Sequence, residues 1–251
     1  MERFGLERYP AICTPVTGST MEEILEQVSV VRVHLPDVIE WRADFFEELA
    51  DTERVLEVLA AIKDATEIPV LFTIRAQHEG GERVSLSTED KVDLLERVCA
   101  QSHVEIVDFE TSNGDVFVDK VRAAAHANGK QLILSYHNFD YSPGNNELLE
   151  KAKVAERMGA NFVKIAVMPK NKADVFALLQ ATRMIDEALD VPVITMSMGE
   201  LGGLSRVMGW AYGSVLTFAV GVEMSAPGQM PLKELRQVIY QTQELLPSWS
   251  E

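Results

Sequence analysis

Two textures alternate along the chain. Short apolar runs rich in β-branched residues occur at Ala11–Val16, Val38–Asp44, Val70–Arg75, His103–Glu110, Gln131–His137, Phe162–Met168, Val191–Met198 and Val215–Val220. Between them, and after the last, apolar residues recur at helical spacing. These stretches are Met21–Val33, Phe45–Lys63, Lys91–Gln101, Val116–Asn128, Glu147–Met158, Ala173–Leu189, Gly203–Gly213 and Pro231–Leu246. Strands separated by helices indicate βαβ units, because a parallel strand is reached only through a crossover. Local punctuation agrees. Ser19 or Thr20 ahead of Glu22 and Glu23, and Ser87 ahead of Asp90, supply a capping side chain and an acidic first turn. Gly129, Gly159 and Pro192 stand where helices stop or strands begin.

Eight such units in 251 residues fit a (β/α)8 TIM barrel of the α/β class, which takes about 250 residues. A doubly wound open sheet is the competing arrangement. It favours a Gly-rich phosphate turn after its first strand, and Val16–Thr20 contains one glycine only. No linker or shift in composition divides the chain, so one barrel over residues 1–251 is expected as a single domain.

The strands carry charge where a barrel interior should be apolar. Side chains alternate faces, so one set points to the helices and the other into the barrel. Ile39, Trp41 and Ala43 oppose Glu40, Arg42 and Asp44; Val70, Phe72 and Ile74 oppose Leu71, Thr73 and Arg75. Asp108 and Glu110 share a face, as do Ser135 and His137, and Lys164 lies in the set of Phe162, Ala166 and Met168. Buried charges are costly unless paired. Their concentration toward the C-terminal strand ends, where barrel enzymes keep their active sites, points to chemistry.

Lys164 is the sharpest candidate. Desolvation and nearby arginines work against an ammonium and expose the amine as a nucleophile; the alternative is a structural ion pair with Glu40, Asp108 or Glu110. His137, on the neighbouring strand, is either a proton shuttle or a hydrogen-bonded core histidine. Glu79, in the turn after Arg75, either orients His137 or belongs to a surface loop. Arg206 follows a Gly-rich turn and either holds a carboxylate through its fork of donors or is a solvated arginine at a helix start. Residues 225–229 form either a lid or a plain turn.

Overall charge narrows the partners. There are 39 acidic and 23 basic side chains, a formal charge of −16, so neither nucleic acid nor an anionic membrane surface is an expected partner. Cys13 and Cys99 make no disulfide framework and no CxxC zinc site. The opening ten residues lack the apolar core of a secretion signal. A reducing cytoplasmic compartment is expected.

Six segments in order add a resemblance. They are Glu-Trp-Arg-Ala-Asp at 40–44, Phe-Thr-Ile-Arg at 72–75 with Glu-Gly-Gly at 79–81, Ser-Tyr-His-Asn-Phe at 135–139, Val-Lys-Ile-Ala-Val-Met-Pro at 163–169, Met-Ser-Met-Gly at 196–199 with Ser-Arg at 205–206, and Ser-Ala-Pro-Gly-Gln at 225–229. Together they closely resemble type I 3-dehydroquinate dehydratase, over roughly residues 10 to 245. The resemblance implies a (β/α)8 barrel that converts 3-dehydroquinate to 3-dehydroshikimate in the shikimate pathway, with no metal or organic cofactor and commonly as a homodimer. It implies Lys164 as the Schiff-base lysine, His137 as general acid and base, and Glu79 as the partner orienting His137. Glu40, Arg42, Arg75, Arg206, Ser225 and Gln229 would hold the substrate's hydroxyls and carboxylate, and first-strand polar contacts would fall near Thr14. Other readings of the same residues are another imine-forming lyase of the class I aldolase type, a metal-dependent barrel using Glu40, Asp108 and Glu110, and a ligand-binding barrel without catalysis.

Overall fold

A computed structural model describes residues 9–222 and 225–246. Among these residues, eight parallel strands alternate with eight helices: β1 (Ala11–Val16), α1 (Met21–Arg32), β2 (Val38–Arg42), α2 (Thr52–Ala65), β3 (Val70–Thr73), α3 (Thr88–Cys99), β4 (Ile106–Glu110), α4 (Asp115–Ala127), β5 (Gln131–Asn138), α5 (Asn145–Arg157), β6 (Phe162–Val167), α6 (Lys172–Ala188), β7 (Val193–Ser197), α7 (Gly203–Met208), β8 (Leu216–Val220) and, last, α8 (Leu232–Leu245). The strands pair in sequence order from β1 to β7, and β8 pairs with β1. A bridge between Val193 and Ser214, with Val215 N donating to Val193 O at 2.9 Å, closes the ring. A two-residue strand, β9 (Met230–Pro231), pairs with β8 outside the expected eight.

Two apolar layers hold the barrel. Ile39, Trp41 and Phe72 pack outward with Val58, Leu59 and Ile62 of α2 and the inner faces of the other helices. Inside, Val38, Leu71, Ile106, Ile133 and Phe162 form an apolar plug toward the N-terminal ends of the strands. The next inward positions are Glu40, Thr73, Asp108, Ser135 and Lys164, all buried. The alternation read from the sequence therefore holds strand by strand.

Helix starts follow their caps. Thr20 accepts from Glu23 N, and Ser87 forms a capping box with Asp90. Asp51 accepts from the amides of Glu53 and Arg54, so α2 begins at Thr52 and not at Phe45. The strand expected to run to Asp44 ends at Arg42 and turns through a 3₁₀ segment, Ala43–Phe45. This turn lets the Asp44 carboxylate accept from Arg75 N at 3.2 Å and Glu82 N at 3.0 Å. The helix expected over Gly203–Gly213 is α7 followed by a 3₁₀ segment, Gly209–Tyr212.

Candidate active site

The C-terminal ends of the strands surround a pocket with about 440 Å³ of space counted to its open mouth. Glu40, Arg42, Arg75, Glu79, His137, Lys164, Arg206, Ser225 and Gln229 all line it. Sequence separation is erased by the barrel, which brings β2, β5, β6, the turn after β3, α7 and the 225–229 segment to one place.

Lys164 is 5% exposed at the centre. Its Nζ donates to Asp108 Oδ2 at 3.1 Å, lies 3.7 Å from Glu40 Oε1, and sits 4.5 Å from the centroid of the Phe218 ring. Ion pairing and a place in the pocket thus coexist at this lysine. Glu40 also accepts from Thr73 Oγ1 at 3.0 Å. Asp108 accepts from Ser135 Oγ at 2.6 Å and pairs with Arg75 Nη2 at 2.8 Å. Burial pushes the Asp108 carboxyl up, but Arg75 and then Lys164 outweigh it and hold the group below the usual carboxylate range.

His137 lies one step along the same face, because Ser135 pairs in register with Lys164 and His137 with Ala166. Its Nδ1 and its backbone N are each 2.9 Å from Glu79 Oε2. A carboxylate acceptor fixes the proton on Nδ1 and leaves the Nε2 lone pair toward the pocket. Burial, then the charges of Arg75 and Lys164, push the imidazole well below its ordinary range and keep it neutral near pH 7. Glu79 is 3% exposed, so the surface-loop reading fails.

The arginines divide into two kinds. Arg42 is held by Asp44 through two bonds of 2.8 and 2.7 Å. Arg75 donates to Glu110 Oε1 at 2.9 Å and Ser135 Oγ at 2.8 Å, besides its pair with Asp108. Arg206 is different. It is 1% exposed, and its donors reach Met196 Sδ at 3.6 Å and the carbonyls of Phe218 and Pro227 at 3.4 and 3.1 Å, with Nε unpaired. Among the described residues, no carboxylate lies within ion-pair distance of it. Burial lowers it to about 10. α7 can carry Arg206 this deep because Gly202 backs onto β7; a Cβ there would lie 2.1 Å from Ser197 O.

The segment 225–229 is docked over the site. Arg42 Nη1 donates to Ser225 O at 3.4 Å, and Gly199 N donates to Pro227 O at 3.1 Å. Ser225 and Gln229 bond each other at 3.0 and 3.2 Å. Gly228 adopts φ +78°, and a Cβ on it would lie 2.0 Å from Gly199 O.

A sequence model of the type I 3-dehydroquinase family matches residues 12–246. The chain belongs to the type I 3-dehydroquinase family. It is 43% identical over 233 residues to the 3-dehydroquinate dehydratase of Albidiferax ferrireducens, covering 92% of this chain and 88% of that one. It is 44% identical over 236 residues to that of Geobacillus sp. strain WCH70, covering 94% and 91%. Among solved structures, the dehydratase of Geobacillus kaustophilus superposes with a TM-score of 0.91 at 41% identity, covering 96% of this chain and 93% of that one. The type I enzyme of Clostridium difficile, solved with covalently modified comenic acid, gives 0.92 at 36%, covering 95% and 94%.

Within this type I 3-dehydroquinase barrel, Thr14 does not reach the pocket, contrary to expectation. β1 turns Ala11 and Cys13 inward, and a Cβ at Gly221 would touch both Thr14 Cγ2 and Val31 Cγ1, which places Thr14 against α1. The three acids considered as metal ligands are engaged by Lys164, Arg75, hydroxyls and the Asn113 amide. Among the described residues, no group of three or more His, Cys, Asp or Glu is arranged to hold a metal ion, and no helix is long and apolar enough to cross a membrane. Asp44, Ser112, Phe139 and Phe218 were not singled out as site residues from the sequence. Asp44 left a signal there, as a charge on the inward face of its strand, and Phe139 lies within the 135–139 segment.

Proposed function

We propose that the chain dehydrates 3-dehydroquinate to 3-dehydroshikimate through an imine on Lys164. One observation carries this reading: a buried amine and a neutral imidazole share a pocket with a buried guanidinium that has no carboxylate partner among the described residues. A ligand bearing a ketone and a carboxylate supplies what both ends of that pocket lack.

The carboxylate pairs with Arg206 and fixes the ring, so that the ketone meets Lys164 Nζ. Lys164 passes its ammonium proton to His137 Nε2, and the free amine adds to the carbonyl. His137 protonates the carbinolamine hydroxyl, which leaves as water, and an iminium forms. His137 Nε2 then takes the proton α to the iminium carbon, and the C–H electron pair neutralises the iminium as an enamine. The enamine returns that pair as the hydroxyl β to the original ketone departs, with the proton from His137, as a second water. Addition of one water to the conjugated iminium frees the product ketone and Lys164. The balance is one water lost per substrate. The iminium is the electron sink, so these steps call for no dissociable cofactor.

Glu40, Arg42, Ser225 and Gln229 are assigned to the substrate hydroxyls, and Arg75 to holding Asp108 and Glu110 in place beneath them. We also infer a homodimer and a cytoplasmic location, in keeping with the family and with Cys13 and Cys99 as buried free thiols. Borohydride added during turnover tests the mechanism. It should inactivate the protein and leave a permanent mass increase on the peptide containing Lys164; turnover that resists borohydride, with no adduct, would exclude the imine.

A further inference from the structure

Glu79 is held from both sides. One oxygen takes the two N–H groups of His137. The other, Oε1, accepts from Ser112 Oγ at 2.6 Å, and Ser112 Oγ lies 3.3 Å from His78 Nε2. Ser112 gives its only proton to Glu79, so its lone pair is what faces His78, which must donate. The result is a string in which His78 donates to Ser112, Ser112 to Glu79, and the Nδ1–H of His137 to the far side of the same carboxylate. It runs from a side chain 67% exposed to one 8% exposed. Ser112 sits on the 3₁₀ segment Thr111–Asn113 that follows β4, outside the pocket lining, and no segment that carries the resemblance includes it.

We propose that Ser112 is a positioning residue for the dehydration, acting through Glu79 on the protonation and aim of His137. The inference rests on the dehydratase reading above. Glu79 faces Arg75 from the end of β3, Glu110 from β4, His137 from β5 and His78 from its own turn. Burial raises the Glu79 carboxyl, and the Ser112 hydroxyl is the largest influence opposing that rise. Donors at both ends of one carboxylate also fix its plane, and with it the imidazole. Without the hydroxyl, the Glu79–His137 pair binds a proton more tightly, whichever member carries it. Its apparent titration then moves to higher pH.

The test compares the unsubstituted chain with Ser112→Ala and Ser112→Thr. The dyad is first titrated without substrate, by NMR of the His137 ring. The pH dependence of kcat is then measured on 3-dehydroquinate. For Ser112→Ala the histidine midpoint and the acid limb of kcat should both move up by about half a unit or more. At neutral pH, kcat should fall about three- to tenfold with KM changed less than about twofold, as suits one partly exposed bond to a charged group. Ser112→Thr keeps the hydroxyl and should restore both. Unmoved midpoints, or a lower kcat with an unmoved acid limb, would overturn the proposal. A shifted NMR midpoint with an unchanged kcat profile would overturn the catalytic role. Failure of the unsubstituted chain to turn over would overturn the dehydratase reading and the role of Ser112 with it, while its NMR midpoint would still register the string.

Discussion

Glu79 Oε2 receives the backbone N–H and the ring Nδ1–H of His137, each at 2.9 Å. A carboxylate from the β3–α3 loop thereby sets both the position of a strand end and the tautomer of its imidazole. Replacing Glu79 by Gln keeps an acceptor but removes the charge that favours a transient imidazolium. We expect kcat to fall about 10- to 100-fold with KM little changed, less than the loss of about 100- to 10,000-fold expected for His137→Ala. Steady-state kinetics on both variants decide it; a Gln variant that matches the unsubstituted chain contradicts the assignment.

Lys164→Met removes the nucleophile and leaves volume nearly unchanged. Activity should drop by at least about a thousandfold, and borohydride should leave no adduct. Asp108 keeps Arg75 and Ser135 as partners, and Glu40 keeps Thr73, so the stability loss should stay below the about 3–5 kcal/mol of an uncompensated buried charge. Denaturant unfolding separates loss of chemistry from loss of fold.

Arg206→Gln should raise KM about 10- to 150-fold, since a charged hydrogen bond contributes about 1.5–3 kcal/mol. The fold should tolerate the change, because the variant removes a buried charge that has no acid beside it among the described residues. A carboxylate-bearing product analogue should raise the Tm of the unsubstituted chain and leave that of the variant unmoved. Equal KM values would refute this anchor.

Acid stability follows from Asp108. Its folded form titrates below the ordinary value of about 3.9. Between those two values the unfolded chain holds a proton that the folded chain does not, so acid favours unfolding. The stabilisation is complete above about pH 4 and is lost as pH falls below it. Asp108→Asn should lower stability at pH 7 and flatten this part of the curve, measured by urea unfolding at several pH values.

Much of this was legible in the residues themselves. Period-two alternation gave the inward set on β2 to β6, and a lysine inside Phe-Val-Lys-Ile-Ala has few structural uses. What periodicity cannot give is which inward residues meet. That depends on the stagger between strands, which sets Ser135, not His137, opposite Lys164. Thr14 illustrates the same point, since its orientation turns on the parity of a single strand. Ser112 left no signal, because its importance arises from a loop crossing to another loop. The docking of Gly228 on Gly199 likewise joins two turns far apart in sequence.

The ring of strands is zipped unevenly. Neighbouring strands elsewhere share three to six paired positions, whereas β7 and β8 meet at one bridge. α7, with its guanidinium, spans that seam, and the 225–229 segment hangs directly after it. Arg206 and the 225–229 segment therefore both hang from the least-stitched edge, while the Lys164 amine and the His137 imidazole sit in the well-laced arc between β2 and β6.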